Sequence, residues 1–271
     1  MSHEVVRTRK GLVAMRSLDA GEVMHPGVGP LVEAEQLYVR QSRLGERLRT
    51  TQGRNLVLFD VGMGAGSNAL AARAESERTC ASAARLELIS FERDLGALEW
   101  ALTQPSDFAL EGESGEAARA LLAKGRHETQ RTCWRLQHGD LQEALASETC
   151  LADIVFWDPF SPKANPDLWT VGAFAALRRV AQARCTLFTY SASTAVRSAL
   201  LLAGWAVGVG ESIGEKAATT AAAVVASDLV QPLDRRWLAR LSRPDVPLPS
   251  DAPADIVARI SALPQFGGKA W

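Results

Sequence analysis

Residues 55–68 read Asn-Leu-Val-Leu-Phe-Asp-Val-Gly-Met-Gly-Ala-Gly-Ser-Asn. An apolar run that ends in an acidic residue is typical of a strand buried on both faces of a parallel sheet. The glycines predict a tight turn after the strand, and the Ala- and Leu-rich residues 67–74 predict a helix. A strand, a glycine turn and a helix in this order form the context that a nucleotide-binding loop requires.

The spacing of the glycines indicates the kind of ligand. Gly62, Gly64 and Gly66 follow a Gly-x-Gly-x-Gly pattern, so Ser67 occupies the third glycine position of a Gly-x-Gly-x-x-Gly dinucleotide fingerprint. The carboxylate of Asp60, just before the loop, suits water or a ligand amino group better than a pyrophosphate. Both features favour S-adenosylmethionine over NAD or FAD, and we expect the loop to contact it. The alternative is a glycine turn that binds no ligand.

Further apolar strands alternate with amphipathic helices along the chain. This alternation predicts parallel strands joined by right-handed crossovers, and the loop between the last two strands predicts a final antiparallel strand. We therefore expect an α/β fold of the class I S-adenosylmethionine-dependent methyltransferase type, with a Rossmann-like, seven-stranded, mostly parallel sheet and helices on both faces. The predicted strands are residues 55–61, 86–92, 133–138, 153–158, 184–190, 205–209 and 220–226. The predicted helices are residues 67–74, 95–102, 115–124, 171–183 and 194–203.

Length and composition predict a globular chain with a sizeable core, since 47% of the 271 residues are apolar and 23% are charged. No apolar run reaches the about 20 residues of a membrane helix. The amino terminus lacks the apolar stretch of a signal peptide, so we expect a cytoplasmic protein without a membrane partner. We divide the chain into an irregular, polar segment on the substrate side (1–50), the Rossmann-like methyltransferase domain (51–230), and a proline-rich extension over the surface (231–271) with a short helix near 254–262.

The scattered cysteines and histidines argue against a metal site. The chain has four of each, and they form neither a Cys-x-x-Cys pair nor a His-Glu-x-x-His pattern. We therefore expect buried, reduced thiols and no bound metal.

Acidic residues follow the second and third predicted strands. Glu92 ends the second strand, where a carboxylate can accept hydrogen bonds from ribose hydroxyls. The alternative for Glu92 is an ordinary surface carboxylate. Asp140 follows the third strand, where its side chain suits the adenine amino group. It also suits the N-cap of a helix beginning at Leu141, and the two roles can coexist.

The segment Asp158-Pro159-Phe160 closes the fourth predicted strand, at the edge where open α/β sheets bind ligands. It resembles the Asp-Pro-Pro-Tyr type motif of amino-group methyltransferases. We expect Asp158 to accept a hydrogen bond from the substrate amine and to take up a proton as charge develops on nitrogen. Phe160 would lie against the developing ammonium in a cation–π contact. The alternative is a turn that merely ends a strand.

A longer stretch resembles a known family. Residues 157–170 read Trp-Asp-Pro-Phe-Ser-Pro-Lys-Ala-Asn-Pro-Asp-Leu-Trp-Thr and are similar to the Asp-x-Phe-x-Pro-x-x-Asn-Pro-x-x-Trp-Thr segment of the MnmC-type methyltransferase domain. Residues 22–34, 188–205 and 214–216 resemble three further segments of that family. The resemblance spans roughly residues 10–226. It implies methylation of 5-aminomethyl groups on the wobble uridine of certain tRNAs.

The resemblance also implies site residues and partners. The sequence has no counterpart of the FAD-dependent oxidase domain of two-domain members, so we expect methyl transfer alone, with a separate FAD-dependent oxidase acting upstream. The residues implied to line the cofactor and amine sites are Asp60, Gly62, Gly64, Asn68, Glu92, Asp140 and Asp158. The residues implied near the substrate are His25, Glu33, Lys163, Trp169 and Lys216. The alternatives are a buried or surface role for His25 and a core position for Trp169.

The charge balance counts against a nucleic-acid partner. The chain has 30 Lys and Arg against 31 Asp and Glu, whereas a tRNA binder needs cations against phosphates. The Arg-rich stretch 40–54 is the first candidate for such a face, and its alternative is a solvated helix face. The second candidate consists of Arg235, Arg236, Arg240 and Arg243.

The leading interpretation is thus an N-methyltransferase that converts 5-aminomethyl(-2-thio)uridine to 5-methylaminomethyl(-2-thio)uridine in tRNA. The runner-up is a methyltransferase of the same fold that acts on a small-molecule or protein amine, which the near-neutral charge supports. A third interpretation is a catalytically silent protein that binds tRNA or a partner. A fourth is a polyamine synthase, which would have a denser acidic pocket than the Asp-Pro-Phe segment supplies.

Overall fold

The computed structural model describes residues 3–7, 11, 13–24, 29–212, 218–243 and 245–267. Within them, the chain begins with a small antiparallel sheet of three strands, β1 (His3–Arg7), β2 (Val13–Ser17) and β3 (Glu22–Val23). A short helix α1 (Pro30–Glu33) follows and continues as a π-helical segment (Ala34–Arg40), after which comes α2 (Leu44–Thr50).

The irregular, polar character that we expected of residues 1–50 is therefore wrong. Strands of five and two residues are too short to show a clear period of two in the sequence. The π-helical segment departs from the helical period of 3.6, and it buries the three consecutive residues Leu37, Tyr38 and Val39.

The central sheet has eight strands. Its strands in chain order are β4 (Leu56–Val61), β5 (Leu86–Glu92), β6 (Arg126–Glu128), β7 (Thr132–His138), β8 (Ala152–Trp157), β9 (Ala181–Thr189), β10 (Ala206–Gly210) and β11 (Thr219–Ala223). Their spatial order is β10-β11-β9-β8-β4-β5-β7-β6. Five neighbouring strands, β9, β8, β4, β5 and β7, are parallel to one another, and β11 lies antiparallel between β9 and β10.

This topology confirms the predicted fold class, with one added strand. Strand β6 pairs antiparallel with the outer edge of β7 through only three residues, and none of them is buried. A strand this short and exposed lacks the apolar pattern from which strands are predicted, so the sequence did not indicate it.

Helices cover both faces of the sheet. They are α3 (Ser67–Glu77), α4 (Gly96–Ala101), α5 (Gly112–Lys124), α6 (Leu141–Ser147), α7 (Val171–Arg179), α8 (Thr194–Leu202), α9 (Arg235–Leu241) and α10 (Ile256–Ser261). Successive residues of β4 point to opposite faces of the sheet. Leu58 packs in the core beneath α2–α5, and Phe59 packs in the core beneath α6–α10. Both side chains are fully buried, as the apolar run predicted.

The predicted helix over 171–183 ends early. Helix α7 stops at Arg179, and Ala181 already pairs with Ala152 of β8. Residues 181–183 are Ala-rich and have a high helix propensity. Pairing with β8 nevertheless places them in strand β9.

The described carboxyl-terminal residues, 231–243 and 245–267, contribute side chains to the core and do not merely cover the surface. The side chain of Gln265 accepts a hydrogen bond from the Val207 N–H at 2.8 Å and donates to the Val207 carbonyl at 2.6 Å, so it extends the edge of β10. Trp237 of α9 and Ile260 of α10 are buried against the same side of the sheet as α8. The sequence predicted α10 but missed α9.

Among the helices that the structure describes, none combines the length and apolar character that crossing a bilayer requires.

Candidate active site

A cavity of about 760 Å³ lies at the carboxyl ends of the parallel strands. The glycine loop follows β4, Glu92 ends β5, Asp140 follows β7, Asp158 follows β8 and Tyr190 follows β9, and all of these line it. The opposite wall comes from the turn between β2 and β3 and from Glu33 at the end of α1. The amino-terminal elements thus cover the edge of the sheet where α/β folds bind ligands.

The glycine loop is shaped by close backbone packing. Gly62 has φ +81°, and a Cβ atom built on it would lie 2.7 Å from the Cα atom of Pro159. Gly64 has φ +53° and Gly66 has φ +87°, so the loop turns in a region that favours glycine at all three positions. Gly62 and Gly64 line the cavity, whereas Gly66 precedes α3 and faces Leu98.

Glu92 ties the glycine loop to the end of β5. Its Oε2 atom accepts a hydrogen bond from the Gly64 N–H at 2.9 Å, and its Oε1 atom accepts from the N–H groups of Arg93 at 2.8 Å and Asp94 at 3.0 Å. A half-buried carboxylate with three backbone donors is rigid, and Oε2, which accepts only one of these bonds, retains acceptor capacity for a ribose hydroxyl. Glu92 is therefore not an ordinary surface carboxylate.

Asp60 lies beneath the loop and not on the cavity wall. Its side chain is fully buried, its Oδ2 atom accepts a hydrogen bond from Ser90 Oγ at 2.7 Å, and Ser90 in turn accepts from the Trp134 indole at 2.9 Å. Its Oδ1 atom has no hydrogen-bond partner among the described residues. Burial, opposed by the hydrogen bond from Ser90 and supported by the nearby charges of Asp158 and Glu92, raises the pKa of Asp60 to about 7.

Asp158 is held by two side-chain donors. Its Oδ1 atom accepts a hydrogen bond from the Tyr38 hydroxyl at 2.7 Å, and its Oδ2 atom accepts from Asn68 Nδ2 at 2.7 Å. Asn68 is buried behind the wall, so it contacts Asp158 and not the cavity. The carboxylate still lines the cavity, where it can accept a hydrogen bond from an amine.

Phe160 lines the cavity and is supported by Trp169. The Trp169 indole donates a hydrogen bond to the Phe160 carbonyl at 2.8 Å. Trp169 itself is buried against Trp157 and Tyr190 in edge-to-face contacts, so the core alternative describes it. Lys163 is exposed and does not line the cavity.

The amino-terminal wall is fastened to the loop after β8. Glu22 accepts hydrogen bonds from Ser161 through both the N–H and the hydroxyl of that residue. Glu33, which the resemblance implies near the substrate, is buried and lines the cavity. Two of the residues implied near the substrate, His25 and Lys216, lie outside the described residues.

Asp140 caps helix α6. Its Oδ1 atom accepts hydrogen bonds from the N–H groups of Gln142 at 2.8 Å and Glu143 at 3.2 Å. The residue also lines the cavity, so the N-cap does not prevent a contact of the other oxygen with a ligand.

The cavity is strongly acidic. Arg93 is the one basic side chain among its described lining residues, against eight carboxylates. This excess of negative charge suits a ligand with positive groups, such as a sulfonium donor or an amine. The carboxylates are Asp19, Glu22, Glu33, Glu92, Asp94, Asp140, Asp158 and Asp167.

The Arg-rich stretch 40–54 is not a face beside the cavity. Arg54 binds the carboxylate of Asp153 through two hydrogen bonds of 2.7 Å, and Arg47 donates to the Asp153 carbonyl at 2.9 Å. Asp153 lies near the beginning of β8, roughly 16 Å along the strand from Asp158. These two arginines stabilise the opposite edge of the sheet and are taken up there. A phosphate-binding role for Arg40, Arg43 and Arg49, the rest of the first candidate, stays a prediction.

The sequence missed three residues of the site. Tyr38 belongs to the amino-terminal part that we expected to be irregular. Glu22 and Tyr190 fall in segments that resemble the family, but the sequence assigned neither of them a role. Tyr190 donates a hydrogen bond to the Pro159 carbonyl at 3.0 Å, and burial raises its pKa. The signal for Tyr38 was the apolar triplet Leu37-Tyr38-Val39, which buries a hydroxyl that needs an acceptor.

Comparison with known proteins gives consistent results. A family model for S-adenosyl-L-methionine-dependent methyltransferases matches residues 118–224. The chain is 32% identical over 206 residues, 72% of its length, to the tRNA 5-methylaminomethyl-2-thiouridine biosynthesis bifunctional protein MnmC of Azoarcus sp. (strain BH72). It is 26% identical over 265 residues, 92% of its length, to the protein of the same name from Paraburkholderia xenovorans (strain LB400). The chain spans about a third of the length of these relatives, 32% and 39% respectively.

Solved structures agree with this family. MnmC2 from Aquifex aeolicus superposes with a TM-score of 0.72 at 26% identity, over 96% of this chain and 86% of that one. Spermidine synthase from Thermotoga maritima superposes with a TM-score of 0.52 at 10% identity, over 96% of this chain and 84% of that one, which shows a shared fold alone.

The fold, the cavity at the strand ends and the matching family model define an S-adenosyl-L-methionine-dependent methyltransferase. The glycine loop with its rigid Glu92 and the acidic cavity fit this cofactor. More narrowly, the chain belongs to the family of MnmC-like methyltransferase domains.

Proposed function

We propose that this enzyme methylates the primary amine of 5-aminomethyluridine or 5-aminomethyl-2-thiouridine at the wobble position of tRNA and so forms the 5-methylaminomethyl nucleoside. The observation that carries the proposal is the carboxylate of Asp158, oriented by two donors at the wall of an acidic cavity. The names of the MnmC relatives support the choice of nucleoside.

Bound S-adenosyl-L-methionine supplies an electrophilic methyl group on a sulfonium. Asp158 accepts a hydrogen bond from the substrate amine and aims its lone pair, after the ammonium form has lost a proton to solvent. Methyl transfer would form the N–C bond, break the C–S bond and leave its electron pair on sulfur, so positive charge would pass to the amine nitrogen. The carboxylate of Asp158 and the ring of Phe160 stabilise that charge, and positioning accounts for much of the acceleration.

We further propose roles for the residues around the cofactor. Glu92 accepts hydrogen bonds from the ribose hydroxyls, Asp140 contacts the adenine amino group, and the backbone at Gly62 and Gly64 lets the cofactor approach closely. Asp60, Gly66 and Asn68 act behind the wall, by supporting the loop and Asp158.

On the substrate side, we propose that residues 1–50 form the wall that admits the nucleotide, with Glu33 facing its amine. Binding roles for His25 and Lys216 stay predictions, as does the second candidate for a phosphate face on α9. A separate FAD-dependent oxidase that supplies the primary amine, and a location in the cytoplasm, are also part of the proposal. The division of the chain at residues 50 and 230 stays a prediction.

The eight carboxylates of the cavity favour a second candidate function. A small, multiply charged amine would find compensating charge on several sides of the cavity, so methylation of a free di- or polyamine is the rival reaction. This dense acidic pocket is also the feature that we required of a polyamine synthase.

The two candidates are separated by one experiment. The purified protein is incubated with methyl-labelled S-adenosyl-L-methionine and either tRNA that carries 5-aminomethyluridine or a panel of free diamines, and the products are identified by mass spectrometry. We expect 5-methylaminomethyluridine, lost in Asp158→Ala and retained in Asp107→Ala, which removes an exposed carboxylate. Methylation of a diamine with no product from tRNA would overturn the tRNA proposal.

A further inference from the structure

Tyr38 reaches Asp158 across 120 residues of sequence. Its side chain is fully buried, and its hydroxyl donates to Asp158 Oδ1 at 2.7 Å. Its ring packs against Phe156 with centroids 5.1 Å apart, and Phe156 lies on the same strand that leads to Asp158. The phenol is therefore anchored to the strand whose end carries the carboxylate.

The winding of the π-helical segment explains how Tyr38 reaches this position. A π-helix makes i→i+5 hydrogen bonds, so residues five positions apart lie on the same side. Glu33 and Tyr38 are five apart, and both face the region of Asp158: Glu33 lines the cavity, and Tyr38 contacts the carboxylate. In an α-helix these two side chains would point in clearly different directions. Single π turns inside helices are frequent at functional sites.

The Tyr38 hydroxyl can act only as a donor in its contact with Asp158, because it stays protonated. Burial raises the pKa of Tyr38 well above its ordinary value of 10.0, and the neighbouring charges of Asp158 and Glu33 raise it further. The hydroxyl thus stays protonated throughout the working range of pH. Donation from Tyr38 to one oxygen and from Asn68 to the other restricts the rotation of Asp158. The two donors also favour its ionised form, against the opposing charges of the neighbouring carboxylates Asp60 and Glu33.

We infer that Tyr38 is a positioning residue for methyl transfer, which together with Asn68 holds Asp158 ionised and in one orientation so that it can aim the substrate amine and stabilise the positive charge that develops on it. This inference rests on the proposed function. On this inference Asp158 acts by orienting the amine, and the proton uptake expected from the sequence stays a prediction.

The first test is Tyr38→Phe, which keeps the ring and removes the hydroxyl. We expect kcat for tRNA methylation to fall by about 10- to 100-fold, because a hydrogen bond to a charged group is lost, with the Kd for S-adenosyl-L-methionine unchanged within about twofold. We also expect the acidic limb of the pH profile of kcat to move to higher pH. The matched control is Ser76→Ala. It removes a buried hydroxyl that donates a 3.1 Å hydrogen bond to the Arg131 carbonyl, and this residue does not line the cavity.

A purely structural role for Tyr38 predicts a different result. In that case Tyr38→Phe and Ser76→Ala would lower Tm alike, and both would keep the pH profile of the wild type. An unmoved acidic limb together with an unchanged kcat would overturn the inference.

The second test needs no tRNA. The chain has two tyrosines, so tyrosine labelled with ¹³C at Cζ gives two signals, which Tyr190→Phe assigns. We expect the Tyr38 signal to shift as Asp158 is protonated at low pH and to lose that response in Asp158→Asn. A Tyr38 signal that ignores both changes would overturn the inference, whereas a wild-type enzyme that leaves tRNA unmethylated would overturn the proposed function, so the two failures are distinguishable.

Discussion

The Cα atom of Gly62 packs against the backbone of Pro159, so that a Cβ atom at Gly62 would lie 2.7 Å from both the N and the Cα of that proline. The two residues follow the neighbouring strands β4 and β8, and both line the cavity. The glycine loop and the segment that carries Asp158 are therefore in direct contact, and a change in one displaces the other.

Gly62→Ala should strongly weaken cofactor binding. The added Cβ forces the loop away from Pro159, and a φ of +81° costs a residue with a side chain about 1–3 kcal/mol in addition. Isothermal titration calorimetry with S-adenosyl-L-methionine measures the effect, and we expect an affinity at least about 30-fold weaker.

Gly112→Ala is the matched control. Gly112 also has a positive φ, of +54°, but a Cβ there meets nothing within 4 Å. The Gly112→Ala variant introduces backbone strain without a steric clash. It should therefore lower Tm slightly and leave the Kd for S-adenosyl-L-methionine unchanged. Equal cofactor affinity in the two variants would contradict the role of the Gly62 contact.

Glu92→Gln should weaken cofactor binding without unfolding the protein. The amide places a donor where the carboxylate accepts from Gly64, Arg93 and Asp94, so at least one backbone N–H loses its partner. We expect about a 10- to 100-fold increase in the Kd for S-adenosyl-L-methionine, corresponding to a loss of about 1.5–3 kcal/mol. Glu99→Gln on the exposed side of α4 is the control, and equal affinities of the two variants would refute the role of Glu92.

Asp60 should make the stability of the cofactor-free protein depend on pH. Its pKa is about 7 in the folded chain against an ordinary value of 3.8, so its contribution to stability is full at low pH and is lost as the pH rises from 3.8 to about 7. With about 1.4 kcal/mol for each unit of pKa difference, we expect a loss on the order of 2–4 kcal/mol.

Urea unfolding of the wild type and of Asp60→Asn at pH 5 and pH 8 measures this loss. The variant lacks the titrating group, so the free energy of unfolding should change less between the two pH values than in the wild type. Asp107→Asn should follow the wild type, because this carboxylate is exposed. Parallel pH dependences of wild type and Asp60→Asn would show that Asp60 is ionised in the folded protein.

Arg54→Gln should reduce stability and spare substrate binding. The carboxylate of Asp153 is 4% exposed and would lose two hydrogen bonds from Arg54, which costs about 1–3 kcal/mol. Because this pair lies at the opposite edge of the sheet from the cavity, we expect an unchanged KM for tRNA. A large increase in KM at an unchanged Tm would restore the stretch 40–54 as a tRNA-binding face. Arg119→Gln, an exposed residue of α5, serves as the control for a simple loss of charge.

Much of the central fold was predictable, because the information is local. The strand over residues 86–92 was predicted with the bounds that the structure shows, and the strand after residue 55 with one residue of difference. An apolar run is long enough to identify a buried strand, and the acidic residue after it falls at the carboxyl edge of the sheet once the strands are parallel. Glu92, Asp140 and Asp158 met at one cavity for this reason.

The sequence by itself determined which residues end the parallel strands, since strand period and chain order are local properties. Only the tertiary structure decided what touches those ends. The pairs Tyr38–Asp158, Glu22–Ser161 and Arg54–Asp153 join residues about a hundred or more positions apart. No periodicity encodes such pairs, because they depend on how the amino-terminal elements fold back over the finished sheet. Burial and hydrogen bonding then select the partners.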